Sequence, residues 1–114
     1  MTSLTHKVKK IRDALTPLEG VEVYHYHKPA EVQSARYIVW AEDGASTSFS
    51  ANNRQSEQEV TGTVDLYTQM EYDPLIDEIQ EALDAVPHAA WNLNSVAYED
   101  ETALIHYEWT FTVA

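Results

Sequence analysis

Three histidines stand where their side chains could share a metal ion. His25 and His27 lie two residues apart in the stretch VEVYHYH, whose β-branched and aromatic residues are typical of a strand. Residues i and i+2 of a strand share a face, so both imidazoles could reach one ion, and His106 could add a third ligand if its strand lies alongside. The alternative is a partly exposed strand on which histidines alternate with tyrosines and bind nothing.

The carboxylates predict no catalytic pair. Neighbours such as Glu42 and Asp43 could be drawn as acid and base, but that chemistry needs one carboxyl group in an apolar site with a raised pKa. Asp65 differs, because it alternates with apolar residues in a predicted strand, and we expect it to have a cross-strand partner. The chain has no cysteine, phosphate loop or nucleophile elbow. We therefore expect no enzyme, catalytic residue, cofactor or resident metal.

A central strand and the helix after it organise the rest of the chain. The stretch from Glu59 to Gln69 (EVTGTVDLYTQ) alternates with period two, which predicts a half-buried strand. From Asp73 to Val86, an Asp-Pro start is followed by apolar residues at helical spacing, which predicts a capped amphipathic helix. The inward strand positions would pack under the apolar stripe of this helix, and they are Val60, Gly62, Val64, Leu66 and Thr68.

The remaining elements complete a single-domain α+β fold. A first helix with its apolar stripe is predicted between Ser3 and Leu18, and Lys7, Lys10 and Asp13 lie outside that stripe. The predicted strands are Val21 to His27, Arg36 to Glu42, Trp91 to Tyr98 and Ala103 to Val113. Residues 1–114 are thus expected to form a mainly antiparallel sheet of four to five strands, packed by two α-helices in two layers.

A polar segment between Asp43 and Ser56 predicts a long loop or an irregular hairpin arm. Long loops within compact domains are commonly functional, so we expect this segment to form a contact surface. The candidate interface residues are Ser46, Thr47, Phe49, Asn52, Asn53 and Arg54.

Composition excludes several classes of protein. The chain is 44% hydrophobic, with seven Tyr, three Trp and two Phe, so it should fold, and no apolar run approaches the roughly 20 residues of a membrane span. The first twenty residues do not resemble a signal peptide, so we expect cytosolic synthesis and no membrane partner. Most aromatic side chains at strand spacing should be core; they are Tyr37, Trp40, Tyr67, Trp91, Tyr98, Tyr107, Trp109 and Phe111.

The charge is strongly negative and unevenly distributed. The net charge is −12, and four of the seven cations lie between Lys7 and Arg12. Residues 13–114 hold nineteen acids against three cations, a net of about −16. This surface repels phosphates, so we expect no sequence-specific nucleic-acid binding. The cationic patch on the first helix could meet an acidic partner, or it could be an ordinary solvated face.

The succession of these motifs resembles a family. An amphipathic helix and a V-x-V-Y strand precede YIVW (Tyr37 to Trp40), a long polar segment and VTGTVDLYT, and an acidic helix then precedes YEDETALIHYEWTF. Over nearly the whole chain, this order resembles the small tail-completion and tail-terminator proteins of long-tailed bacteriophages and prophages. The resemblance carries over no single functional residue, since that family works through ring interfaces that differ between phages.

The resemblance implies a structural protein of the virion. Made in the cytoplasm of the host bacterium, it would assemble with itself into a ring, a hexamer by this resemblance, at the head-tail junction. There it would stop polymerisation of the tail tube protein and present the joining surface for a head-completion or connector protein. Related neck and minor capsid proteins share the layout and are an alternative.

Two hypotheses of other classes stay open from sequence. One is a small ligand- or metal-binding α+β domain that uses His25, His27 and His106. The other is a host regulatory or inhibitor protein whose acidic surface binds a basic partner.

Overall fold

The computed structural model describes residues 3–49 and 55–114, which form two helices and five strands. The elements are α1 (Leu4–Leu15), β1 (Glu22–His25), β2 (Arg36–Phe49), β3 (Gln55–Thr68), α2 (Leu75–Asp84), β4 (Ala89–Glu99) and β5 (Leu104–Val113). This is the predicted order of elements, with shorter helices and longer central strands than predicted. Within these residues, neither helix is long and apolar enough to cross a membrane.

The five strands form one sheet in the order β1-β2-β3-β5-β4. β1 pairs with β2 in parallel, and the other neighbours are antiparallel. Both helices bury apolar residues in the core cluster on one face of the sheet. The predicted α+β fold, a mainly antiparallel sheet packed by two helices in two layers, is confirmed. We call the face away from the helices the open face.

The core lies between the helices and the inward positions of β3 and β5. Val64 and Leu66 of β3 are fully buried, as is Trp109, which faces Val64 across the β3–β5 ladder. The Trp109 indole Nε1 donates a hydrogen bond to Gln80 Oε1 of α2 at 3.1 Å. The helices add Ile11, Leu15, Leu75, Ile79 and Leu83, all fully buried. The inward face predicted for the central strand is therefore correct.

Gly62 has a packing role at the centre of the sheet. A Cβ atom at this position would lie 2.2 Å from the Ala41 carbonyl oxygen and 2.5 Å from the Phe111 ring. Neither group can move without breaking the ladder or the core. The site therefore requires glycine because a ring and a neighbouring strand approach closely, as is common for glycine inside strands.

Lys7 corrects the predicted face of α1. The helical stripe placed it outside the core, but only 1% of the residue is exposed. Its Nζ donates to the backbone carbonyl of Gln58 in β3. The long aliphatic stem of lysine packs like an apolar residue while its head reaches a polar group, so a lysine can join a buried stripe. This contact ties α1 to β3 just before the strand enters the core.

Asp73 fixes the start of α2. Its Oδ1 accepts a hydrogen bond from the Leu75 N–H at 2.8 Å, which confirms the predicted capping role. Arg36 of β2 donates two hydrogen bonds to the same carboxylate, from Nη2 at 2.6 Å and from Nε at 2.9 Å. The Thr68 hydroxyl donates a third at 2.7 Å. Burial alone would raise the pKa of Asp73, but these hydrogen bonds outweigh burial and hold the pKa below its ordinary value.

Candidate functional site

The polar segment predicted as a long loop is largely a β-hairpin. β2 continues to Phe49 and β3 begins at Gln55, so the hairpin-arm alternative is correct and the loop is wrong for residues 43–49 and 55–56. Ser46, Thr47 and Phe49 lie on β2, whereas Asn52, Asn53 and Arg54 lie outside the described residues. Apolar alternation marks a strand only where one face is buried, and this arm extends past the core.

The hairpin projects beyond the rest of the sheet. The last residue of β5, Val113, pairs with Val60, so residues 55–59 of β3 have no partner in β5. These residues pair with β2 alone, in a register that sets Ser46 opposite Glu59 and Thr47 opposite Gln58. We call residues 46–49 and 55–59 the hairpin arm. A two-stranded ribbon is marginal by itself, so the arm is suited to gain partners from another chain.

The structure does not bring the three predicted histidine ligands together. β1 ends at His25, and Tyr26 has a positive φ of 77°, so His27 leaves the strand instead of sharing its face. His25 stacks on Trp40 on the helix side, with ring centroids 3.9 Å apart. His106 lies on the open face of β5. In the sheet, β2 and β3 lie between β1 and β5, so these two strands are about 14 Å apart. The three histidines therefore do not form the metal site that the sequence left open as an alternative.

His25 belongs instead to a polar pair at the edge of the sheet. Its Nε2 lies 2.6 Å from Glu42 Oε1, and the Tyr26 hydroxyl donates to Glu42 Oε2 at 2.6 Å. Burial raises the pKa of Glu42, but the two hydrogen bonds more than offset this, and the pKa is lowered. The pair secures the end of β1 against β2.

His106 has a different set of neighbours on the open face. Its Nε2 lies 2.7 Å from Asp65 Oδ1 of β3, the cross-strand partner that the sequence predicts for Asp65. Its Nδ1 lies 3.9 Å from Glu99 Oε2. Glu108 accepts a hydrogen bond from Asn94 Nδ2 at 2.7 Å. Burial raises the pKa of Asp65 despite the hydrogen bond from His106.

Asp65, His106 and Glu108 are the residues that could hold a metal ion in the described part of the chain. One ligand atom from each lies within 4.8 Å of the others. Each of the three already has a protein partner, since His106 bonds Asp65 and Glu108 bonds Asn94. The cluster is thus explained as cross-strand pairing that holds β3, β5 and β4 together.

Several aromatic residues predicted as core lie on the open face or in solvent. Tyr37, Tyr67 and His106 stack across three strands, with successive ring centroids 4.7 Å and 4.2 Å apart. Burial within this row, followed by the negative charge of Asp65, raises the pKa of Tyr67 to about 12. Tyr98 is 61% exposed. Trp40, Trp109 and Phe111 do lie in the core, so the prediction holds for these residues.

Edge strand β4 presents apolar side chains to solvent. A register shift between Leu93 and Ser95 makes Asn94 an extra residue, a β-bulge, in the pairing with β5. Because of the bulge, Val96 and Tyr98 join Leu93 on the helix side of the sheet, and the three lie opposite Tyr107, Ile105 and Trp109, respectively. Their exposed fractions are 44%, 52% and 61%. We call these three residues the β4 strip.

A groove of 600 Å³ lies at the other end of the sheet, on the helix side. It runs between α1 and the part of β2 that continues beyond β1, and its walls include Leu4, Val8, Arg12, His25, Trp40 and Ala45. β1 pairs only with residues 37–40 of β2, so from Ala41 onward the outer backbone of β2 has no strand partner among the described residues. We call this stretch, Ala41 to Phe49, the free edge of β2.

These surfaces were not evident from the sequence. The sequence signal for the β4 strip is the break in alternation at residues 93 to 98, where the polar-apolar pattern changes phase. A change of phase within a strand indicates a bulge, and this one leads to the exposed apolar strip. The groove depends on how far β2 extends beyond β1. The sequence predicts that this strand ends at Glu42, whereas it ends at Phe49, so the groove does not follow from the predicted strands.

Comparison of the sequence with protein-family models and with curated proteins finds no match.

Proposed function

We propose that this chain is a structural subunit that assembles with copies of itself through the edges of its sheet. By the resemblance given above, the assembly is a ring at the head-tail junction of a long-tailed bacteriophage or prophage, where it completes the tail. The observation that carries the proposal is the pair of unlike, incomplete surfaces at opposite ends of the sheet. One is the β4 strip on an edge strand, and the other is the free edge of β2 beside the groove.

Unlike surfaces on one molecule favour a ring. A head-to-tail contact between two different patches repeats by rotation, and it closes into a ring when the rotation divides a full turn. Edge strands with unpaired backbone groups are templates for pairing with another chain unless they are blocked. β4 carries no lysine, arginine or proline that would block it. Its exposed apolar side chains suit an edge that is covered in the working state.

The charge supports a place around a DNA channel. With residues 13–114 near −16, a ring of such subunits would surround DNA without neutralising its phosphates. A channel of this kind lets DNA pass without binding it tightly. The tail tube protein and a head-completion or connector protein are the partners proposed for the two faces of the ring.

The geometry favours assembly over catalysis or metal binding. The carboxylates and histidine of the open face have partners in neighbouring strands, and the depression beside them, lined by Tyr26, His27, Tyr37 and Asp65, is shallow. By contrast, the three residues of the β4 strip are about half exposed on an edge strand. Among the described residues, the β4 strip is therefore an exposed apolar edge of the kind that marks an interaction surface.

Shortening the hairpin arm tests the proposal. Thr47 and Gln58 face each other across the ladder, so replacing residues 48–57 by Asn-Gly joins them through a two-residue turn. This variant keeps the Gln58 carbonyl that Lys7 contacts. We expect it to melt within a few degrees of wild type but to leave tails overlong or unjoined in an in vitro tail-completion assay, scored by electron microscopy. Tails of normal length that join heads would show that the arm is not an assembly surface.

A further inference from the structure

We infer that β4 of one copy adds to the free edge of β2 in the next copy, so that the β4 strip fills the groove beside α1. This inference rests on the proposed function insofar as it names the interface of the self-assembly. It would make the sheets of neighbouring subunits continuous through strand addition, a mode in which main-chain hydrogen bonds give affinity and side-chain pockets give specificity.

The side chains of the two surfaces fall on the same side of such a joined sheet. Leu93, Val96 and Tyr98 project to the helix side of their own sheet, as their ladder partners on β5 show. The groove opens on the helix side of the next subunit, between α1 and β2, with Trp40 among its walls. When β4 continues that sheet with its helix side aligned, the strip lies against the groove. Without the bulge at Asn94, Val96 and Tyr98 would face the opposite side.

Both surfaces have backbone available for pairing. β4 pairs with β5 along one side only, from Ala89 to Glu99. The free edge of β2 begins where β1 stops, next to Trp40, whose carbonyl accepts the Tyr26 N–H at 2.8 Å. The short β1 therefore leaves the second half of β2 open. An added strand would lie in line with β1, along the same side of β2.

Charge complementarity identifies the occupant as a second copy of this chain. The body of each subunit is acidic, so two copies repel each other over most of their surfaces. The groove is less acidic, since Lys9 and Arg12 of α1 line it against the single carboxylate of Glu42, although Arg12 also pairs with Asp13. β4 has no cation, and it runs into the acidic turn Glu99-Asp100-Glu101. Placing β4 beside α1 therefore brings acidic residues of one copy toward cations of the next.

A two-fold contact between two β4 strands is the competing arrangement. It would bury both strips against each other and leave the groove open. The two antiparallel β4 strands would carry their acidic turns at opposite ends of the contact, so charge does not decide against it. The contact between β4 and β2 is favoured because it fills the groove and pairs the free edge of β2 as well as β4.

Chemical cross-linking distinguishes these arrangements. The chain has no cysteine, so engineered thiols are the only ones present. We place one in the strip by Val96→Cys and one in the groove by Ala45→Cys, and we treat concentrated protein with a short bis-maleimide. We expect a 1:1 mixture of the two variants to give a mixed dimer, and the double variant to give a ladder that ends at the ring. Glu81→Cys on the exposed face of α2, mixed with Val96→Cys, is the matched control and should give at least tenfold less product.

A charge variant adds a second readout. Lys9 is exposed on α1, so Lys9→Glu should leave the melting temperature unchanged and lower the yield of mixed dimer severalfold. Self-linking of Val96→Cys alone at the yield of the mixture would show the two-fold arrangement and overturn the inference. So would the absence of a Val96–Ala45 product up to millimolar protein.

The outcomes separate this inference from the proposed phage role. Efficient cross-linking between β4 and β2 in a protein that does not complete tails would support the interface and contradict the phage role. Tail completion by the wild-type protein, together with no Val96–Ala45 product from the cysteine variants, would support the phage role and contradict the interface.

Discussion

Replacing Trp109 by alanine should lower the free energy of unfolding by about 3 to 5 kcal/mol, the range found for large buried aromatic side chains. Trp109 is fully buried between the sheet and α2, and its indole donates to Gln80. The truncation would leave a cavity next to Val64 and Leu66 and remove that hydrogen bond. Leu66→Ala, also fully buried, should cost about 2 to 5 kcal/mol for the same reason.

Thermal melting checks this result. A loss of this size in a chain of 114 residues should lower the melting temperature by more than about 10 °C. Tyr98→Ala, which truncates an aromatic residue that is 61% exposed, is the control and should change stability by less than about 0.5 kcal/mol. Shifts under about 2 °C for both Trp109→Ala and Leu66→Ala would show that the inward faces are assigned wrongly.

Asp73→Ala should also destabilise the protein by about 2 to 4 kcal/mol, because it removes a fully buried carboxylate that caps α2 and accepts the charged hydrogen bonds of the partly exposed Arg36. The Asp73 side chain is fully buried, and it accepts hydrogen bonds from Arg36, Thr68 and the first turn of α2. A single substitution would thus detach β2 and the end of β3 from the start of α2. Asp73→Asn, which keeps the shape and removes the charge, should cost less than Asp73→Ala.

The pH dependence of unfolding separates this effect from simple loss of packing. The folded protein holds the pKa of Asp73 below its ordinary value, so its contribution is present above the unfolded pKa of about 4 and is lost as pH falls through the folded pKa. The stability difference between wild type and Asp73→Ala should therefore shrink between about pH 7 and about pH 3 in denaturant unfolding. An equal difference at both pH values would mean that the ionised carboxylate adds nothing.

The sequence predicts the fold here because local patterns agree with one another. Alternation in the central strand gives the inward face that buries Val64 and Leu66, and the Asp-Pro start with helical spacing gives α2. The closing hairpin is predicted by two alternating stretches around an acidic turn. These signals are short in range, and each is satisfied by burial of one face of one element.

The parts that the sequence does not predict depend on contacts between distant residues. Arg36, the first residue of β2, pairs with Asp73, which lies just before α2. No pattern in the neighbouring sequence indicates this pair. Lys7 enters the core because Gln58 offers a carbonyl there. His25 and His27 would share a face only if the strand continued through His27, whereas it ends at His25.

The segment from Asp43 to Ser56 stays a predicted contact surface. Its polar composition predicts a loop or a hairpin arm, and the structure shows residues 43–49 as strand. A ribbon that projects past the core has no apolar face to reveal it. The β4 strip depends on the bulge at Asn94, which the sequence marks only as a change of phase within a predicted strand.

The oligomeric state of the purified protein in solution tests self-assembly most directly. Native mass spectrometry of the wild-type protein over a range of concentrations should show monomer at low concentration and, at high concentration, one closed oligomer larger than a dimer. Leu93→Asp with Val96→Asp, which puts two charges on the β4 strip, should remain monomeric with an unchanged melting temperature. A wild-type protein that stays monomeric up to millimolar concentration, or stops at a dimer, would contradict assembly of this chain into a ring.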